Sequence, residues 1–268
     1  MTTTAMQVCG VRIDALDMGQ LTDLVEDVIR QSDKRIFGNH NLHSLYLCSR
    51  DERMREFYRR ADYVHADGMS LIALARLSGV PLNRRHRVTY ADWTDVLIRR
   101  AHAEGWRVFY LGAKPGVAAR GAAILRSRLP GLNIETAHGY IDTAPESEEN
   151  RQVVAAIRRY RPNLLLVGMG MPRQEHWVLE NLQHLDANAI LLCGAAMDYI
   201  AGVVPTPPRW AGRIGLEWLF RLYREPRRLW RRYLVEPWLM LWMLFRRSRS
   251  ERVRPVEVYS PDRQMPGD

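Results

Sequence analysis

Little in this 268-residue chain serves covalent cross-linking or membrane spanning. Its three cysteines, Cys9, Cys48 and Cys193, are odd in number and share no metal-ligand spacing. A disulfide-built secreted domain is thereby excluded, and a reduced, cytosolic chain is expected. The N-terminus MTTTAMQVCGVRIDALD lacks the basic region and apolar core of a secretory signal. No run reaches the roughly 18 uncharged apolar residues of a membrane span. The longest candidate, Leu234–Phe245, is interrupted by Glu236 and Pro237. Lysine is also scarce, Lys34 and Lys114 standing against 37 arginines. A bias that general fits a GC-rich coding sequence and marks no single site. Low-complexity linkers and internal repeats are missing too. At 47% hydrophobic and 26% charged, the chain has the composition of a folded domain with a full core.

The net charge of +9 is unevenly placed. Residues 1–204 are close to neutral, with 25 basic and 23 acidic side chains, whereas residues 205–254 hold 13 arginines and 4 glutamates. Five of the eight tryptophans, Trp210, Trp218, Trp230, Trp238 and Trp242, lie in that basic segment.

Short β-branched or apolar runs alternate with helical patterns through residue 204, the signature of an α/β sheet. Strands are expected at Arg35–Gly38, Tyr63–His65, Trp106–Leu111, Asn133–Ala137, Leu164–Val167 and Ala189–Cys193, with helices such as Val117–Arg128 and Arg173–Leu182 between them. The fold class expected is a Rossmann-like, mostly parallel sheet with flanking helices and a basic, Trp-rich C-terminal helical appendage. The expected division is 1–204 as catalytic domain, 205–254 as appendage and 255–268 as a disordered tail.

Glycines and polar residues gather where the strands should end, the edge at which open parallel sheets bind ligands. Asn39, Asn41 and His43 follow the first run; amides there can orient a sugar or base, or simply form a turn. Asp67 follows the second, where a carboxylate can take a proton from a substrate hydroxyl or cap the next helix. The two roles are not exclusive. Gly112-Ala113-Lys114-Pro115-Gly116 joins a strand to a helix, with Pro115 suited to the first helical turn. Its backbone N–H groups can hold a phosphate or ribose, or the segment can be only a tight turn. It is neither a dinucleotide fingerprint nor a Walker loop, which argues against a nucleotide-dependent oxidoreductase. Arg87-Val88-Thr89 lies in a basic run that can also be a solvated face, and Gln174 is expected in a first helical turn, able to face the crevice, with Glu175 beside it explained by the helix dipole. No D-x-D pair and no zinc-like cluster is present, so no metal site is expected.

In the basic segment Arg221, Arg224, Arg228 and Arg231 would fall within about 80° of one another on a continuous helix, subject to a kink at Pro226. Guanidinium groups pair with phosphate oxygens in a fork, which suits a diphosphate. The run WLMLWMLF between arginine clusters favours a lipid interface over nucleic acid.

Taken in order, these pieces resemble the WecG/TagA/CpsF glycosyltransferases from about residue 8 to residue 235. The carriers are Ala66-Asp67-Gly68, Arg87-Val88-Thr89 with Asp92, VFYLGAKPGVA at 108–118, PGLNIETAHGY at 130–140, and PNLLLVGMGMPRQEHW at 162–177. Gly194–Tyr199 with Ala201-Gly202, and PPRWAGRIGLEWLFRLYREPRRLWRRY at 207–233, complete the set.

The resemblance implies a metal-independent, inverting transferase that needs no cofactor. Its donor would be a UDP-sugar and its acceptor a polyprenyl-diphosphate-linked saccharide. It would act peripherally on the anionic inner face of the plasma membrane, in cell-surface polysaccharide synthesis. Nucleic acid is not an expected partner, and homo-oligomerisation is left open. By the resemblance Asp67 matches the catalytic base and Asn41 the family's Thr-x-Asn position, with Asn39 where the threonine would be. Arg87 and Gln174 match the donor crevice, Gly112 and Tyr140 the nucleotide loops, and Arg221, Arg228 and Arg231 the basic appendage. The family's Val-Thr-Gly-x-Asp reads Val88-Thr89-Tyr90-Ala91-Asp92 in this chain. A bulky Tyr90 near the donor puts N-acetylmannosamine in question and leaves an exopolysaccharide glucosyltransferase of the GumM type as the alternative. A non-catalytic membrane adaptor would leave the crevice residues without a role.

Overall fold

A computed structural model describes residues 5–8, 10–204, 217–224 and 226–239. The chain opens with an antiparallel hairpin, β1 (Ala5–Val8) and β2 (Val11–Asp14), which the sequence patterning did not suggest. Six strands then form one parallel sheet: β3 (Arg35–His40), β4 (Tyr63–Ala66), β5 (Val108–Gly112), β6 (Ile134–Ala137), β7 (Leu164–Gly168) and β8 (Ala189–Leu192). Their order is β4-β3-β8-β7-β5-β6.

The apolar runs make sense in that setting, because a parallel sheet is covered on both faces. Successive residues go to opposite sides. Val108 and Tyr110 join one core with helix α1 (Met18–Arg30), α5 (Tyr90–Ala103) and α6 (Val117–Arg128). Phe109 and Leu111 join the other with α3 (Glu52–Arg60), α7 (Glu148–Tyr160) and α8 (Arg173–Asn181). A third cluster packs the hairpin against α2 (Leu42–Cys48) and α4 (Met69–Leu77). Asp14, buried and paired with Arg12 at 2.8 Å, accepts the Val64 N–H at 2.7 Å and so ties the hairpin to β4.

Two strands depart from expectation in a way that bears on function. β3 runs to His40 rather than Gly38, and β4 to Ala66, so Asn39 is buried strand rather than loop. The 112–116 segment differs as well: α6 begins at Val117 with Gly116 (φ 81°) as its N-cap, so Pro115 belongs to the preceding turn. Gly112 is required by sheet packing, since a Cβ there would lie 2.3 Å from the Gly168 carbonyl oxygen.

Beyond the sheet, helices Glu217–Arg224 and Pro226–Trp230 are followed by a wider turn over Arg231–Val235. Residues 205–216 and 240–268, and with them the boundary near 204 and the tail from 255, lie outside the described residues.

Candidate active site

All six strands of the parallel sheet end on one edge, and five residues singled out from sequence lie along it. Asn39 and Asn41 are at the end of β3, Asp67 just beyond β4, Gly112 at the end of β5 and Tyr140 after β6. Backbone bonds fix the β3–β4 corner. The Asp67 N–H donates to the His40 carbonyl at 2.7 Å, and the Val88 N–H donates to the Ala66 carbonyl at 2.9 Å. That second bond makes Arg87 a parallel neighbour of Ala66. Asn39, Asp67 and Arg87 are thus gathered from three separate segments.

Asp67 is not the cap of α4. The N-cap is Gly68, at φ 100° and ψ 140°, with no side-chain hydrogen bond. Asp67 is half-buried, and its Oδ2 lies 3.5 Å from the Asn39 amide nitrogen, the outer limit of a hydrogen bond. Asn39 is itself buried, its backbone carbonyl accepting the Tyr58 hydroxyl at 2.9 Å. Asn41, by contrast, caps α2: its Oδ1 accepts the Ser44 N–H at 3.0 Å, and Ser44 Oγ accepts the Asn41 N–H at 2.9 Å. Its side chain is engaged in holding the helix start. Arg87 has a side chain 13% exposed and stands 3.7 Å from Asp92.

Histidines line the corner beneath Asp67. His40 stacks on Tyr58 with ring centroids 3.8 Å apart, and its Nδ1 lies 2.9 Å from Ser44 Oγ. Desolvation, with the neighbouring His65, lowers its pKa to about 3. His65 is the β4 partner of Asn39 and packs edge-on against Tyr90 and Trp93. Burial lowers it to about 4. Both imidazoles are therefore neutral at pH 7 and carry no charge toward Asp67. Tyr90 is buried too, and burial raises its hydroxyl well above the usual phenol range, with Cys193 and Asp67 adding to the shift. Its ring packs against His65 and Trp93, with centroids 5.7 and 5.3 Å away.

Gln174 is turned inward and almost fully buried. Its Oε1 accepts the Gly170 N–H at 3.1 Å, and its Nε2 donates to Glu175 Oε1 at 3.0 Å. The expectation of a crevice-facing amide does not describe this arrangement. Tyr140 is 60% exposed in the loop after β6. Arg231 is exposed at the start of the wider C-terminal turn, while the side chains of Arg221 and Arg228 lie outside the described residues.

Sequence reasoning missed two residues. His43, to which the sequence assigns no role of its own, has Nδ1 2.7 Å from Glu236 Oε2, tying α2 to the C-terminal helices. Glu175, explained by the dipole, is fully buried. The helical spacing of Gln174, Trp177, Val178 and Asn181 was the available signal, because Glu175 falls about 60° from Val178 on that face. Among the described residues no three His, Cys, Asp or Glu side chains are placed to hold a metal ion. Nor is any described helix long and apolar enough to cross a membrane.

The Asp67 corner lies at the ligand-binding edge of an α/β sheet, and comparison with known proteins gives the family. The Glycosyl transferase WecG/TagA/CpsF family matches residues 6–254, and the chain belongs to it. It is an enzyme, a glycosyltransferase. Relatives from Staphylococcus aureus strains MW2, NCTC 8325 / PS 47 and MRSA252 are each 26% identical over 239 residues, covering 85% of this chain and 88% of theirs. Each is named N-acetylglucosaminyldiphosphoundecaprenol N-acetyl-beta-D-mannosaminyltransferase.

Proposed function

We propose that this glycosyltransferase moves a hexose or N-acetylhexosamine from a UDP-sugar to a polyprenyl-diphosphate-linked saccharide, with inversion and without a metal. The observation that carries the reading is Asp67: a half-buried carboxylate at the ligand-binding edge of the sheet, one residue before the α4 N-cap Gly68 and met by the Asn39 amide. The acceptor class is supported by the relatives' names, which specify a sugar on an undecaprenol diphosphate.

In this reaction Asp67 takes the proton of the acceptor hydroxyl as its oxygen bonds to the sugar C1, and the C1–oxygen bond to UDP breaks on the opposite face. The leaving diphosphate takes the electron pair and needs positive charge. Arg87 stands at the corner to supply it, and Arg221, Arg228 and Arg231 are the C-terminal candidates. Gly112, at the end of β5, and Tyr140, in the loop after β6, are positions suited to the nucleotide. The catalytic unit is residues 1–204, and 205–254 forms a peripheral membrane-binding appendage on the cytoplasmic face.

Tyr90 favours a second reading within the family. Its buried ring stands where the family pattern has glycine and lies close enough to Asp67 to feel its charge, which supports transfer of glucose in place of N-acetylmannosamine. A panel of UDP-sugars tested against a polyprenyl-diphosphate-linked sugar separates the two. Turnover should fall about 10²–10⁴-fold in Asp67→Asn with donor affinity little changed. Near-normal turnover in that variant removes the base assignment. Activity lost to excess chelator and restored by Mg²⁺ or Mn²⁺ removes the metal-free mechanism.

A further inference from the structure

Glu175 occupies the first turn of α8, yet its side chain is fully buried. Burial pushes its carboxyl up to about 7, offset only in part by the Gln174 amide and its own backbone N–H. Placing a carboxyl in such surroundings is costly, so its hydrogen bonds need an account. Oε1 accepts from Gln174 Nε2 at 3.0 Å, while Oε2 meets no neighbour's donor among the described residues.

An ionised carboxylate can only accept, and that gives the Gln174 amide a direction. With Nε2 facing Glu175, Oε1 faces the Gly170 N–H at 3.1 Å. Gly170, at φ 81°, is in the loop between β7 and α8. The same loop holds Met169 against the neighbouring loops: a Cβ on Gly139 would be 3.1 Å from Met169 Cγ and 2.9 Å from Gly112 Cα. The bonds therefore run from Glu175 through Gln174 to Gly170, in a loop packed against those that follow β5 and β6.

We propose that Glu175 is a positioning residue for transfer: its carboxylate orients the Gln174 amide, which holds the Gly170 N–H and with it the 168–172 loop beside Gly112 and Gly139. Protonated Glu175 gains a donor, so the amide can turn over and present N–H to N–H at Gly170. The loop is then held firmly above about pH 7 and loosened below it. Facing Glu175 are Cys48 from α2 and Tyr58 from α3, with Asp51 and Arg55 beside Cys48. Burial keeps Cys48 up at about 12 and Tyr58 well above the usual phenol range, so both stay neutral through this window. His176, the next residue on α8, pairs with Asp51 at 2.9 Å.

The kinetic consequence rests on the transferase reading; the hold on the loop does not. The test is hydrogen exchange at the Gly170 amide in the full chain, corrected for intrinsic rate, alongside turnover and donor KM across the neutral range. In the unsubstituted protein Gly170 should exchange about tenfold faster below pH 7 than above it, the loss of one neutral hydrogen bond to the Gln174 amide. Glu175→Gln, which both donates and accepts, should show the faster rate at every pH, and its turnover and donor KM should lose the step. Glu175→Leu should exchange as fast, and His176→Gln should retain the step. A step that survives in Glu175→Gln, or one that vanishes only in His176→Gln, overturns the proposal. So does unchanged Gly170 protection in Glu175→Gln, which settles the matter if Glu175→Leu fails to fold. Should the unsubstituted protein transfer no sugar, the transferase reading falls, while the exchange data still decide whether Glu175 holds the loop.

Discussion

His43 Nδ1 and Glu236 Oε2 are 2.7 Å apart although 193 residues separate them in the chain. His43 lies two residues after Asn41, at the start of the helix that Asn41 caps. Glu236 belongs to the basic C-terminal segment and is itself buried. One partly buried bond therefore joins the helices that carry Arg231 to the corner of the sheet that carries Asp67.

Breaking that bond should free the C-terminal helices without unfolding the sheet. A hydrogen bond to a charged group contributes about 1.5–3 kcal/mol, so Glu236→Ala should raise local opening of residues 226–239 by about tenfold or more. Hydrogen exchange of that segment, set beside the global urea midpoint, is the measurement. An unchanged exchange rate would mean that apolar contacts such as those of buried Leu229 hold the segment alone.

Acid stability should depend on His65. Its pKa is lowered by burial to about 4 in the native protein, against the ordinary 6.5 when unfolded. Between those values the unfolded chain binds the extra proton, so stability present above pH 6.5 is lost as pH falls toward 4. The loss attributable to His65 is at most about 3 kcal/mol. Glu175 acts in the opposite sense, since its raised pKa adds stability as pH falls from about 7 to its ordinary 4.5. Comparing His65→Phe with the unsubstituted protein cancels the Glu175 contribution. The variant keeps a flat ring against Tyr90 and Trp93, and its urea midpoint should fall less between pH 7 and pH 4.5. Parallel pH profiles would refute the assignment.

The strands and their ligand-binding edge could be read from sequence because punctuation and polarity coincide there. Apolar runs end in Asn39-His40-Asn41, Asp67-Gly68, Gly112 and Gly168, and the structure ends the strands within two residues of those positions. What could not be read depends on the third dimension. Asn39 looked like a turn residue because Asn commonly is one, yet the pairing of β3 with β4 carries the strand past it. Glu175 matched a local rule so well that the helical spacing pointing to its burial went unread. The His43–Glu236 pair joins segments with no shared motif, and the β1–β2 hairpin is too short to show a pattern.

Gly112 should tolerate no side chain. Gly112→Ala places Cβ 2.3 Å from the Gly168 carbonyl oxygen and 2.6 Å from its carbon, inside a paired strand that cannot move aside cheaply. The cost should be at least about 2 kcal/mol, since overpacking against backbone leaves no rotamer to relax. Gly116→Ala is the control: no atom lies within 4 Å of its added Cβ, and only the φ of 81° is strained, for about 1 kcal/mol. Thermal midpoints of the two variants should differ in that order. A milder Gly112→Ala would mean the β5–β7 pairing is looser than its register indicates.

The C-terminal segment should bind membranes through its rings and arginines, and transfer should need more than that binding. Tyr223 is 82% exposed and Trp238 70%, with Trp230 and Leu234 about half exposed, an apolar set with no covering element among the described residues. Amphipathic rings of this kind settle at the lipid interface, and each basic residue near an anionic surface adds about 1 kcal/mol. Co-sedimentation with anionic vesicles should weaken as salt rises, because exposed charges are screened. Trp238→Ser should reduce vesicle binding and turnover together, since its ring is largely exposed among the described residues. Arg231→Ala should separate them, cutting turnover more than binding if its guanidinium also meets the leaving diphosphate. Equal losses in both assays would reduce Arg231 to a membrane anchor and leave Arg87 as the described arginine at the Asp67 corner.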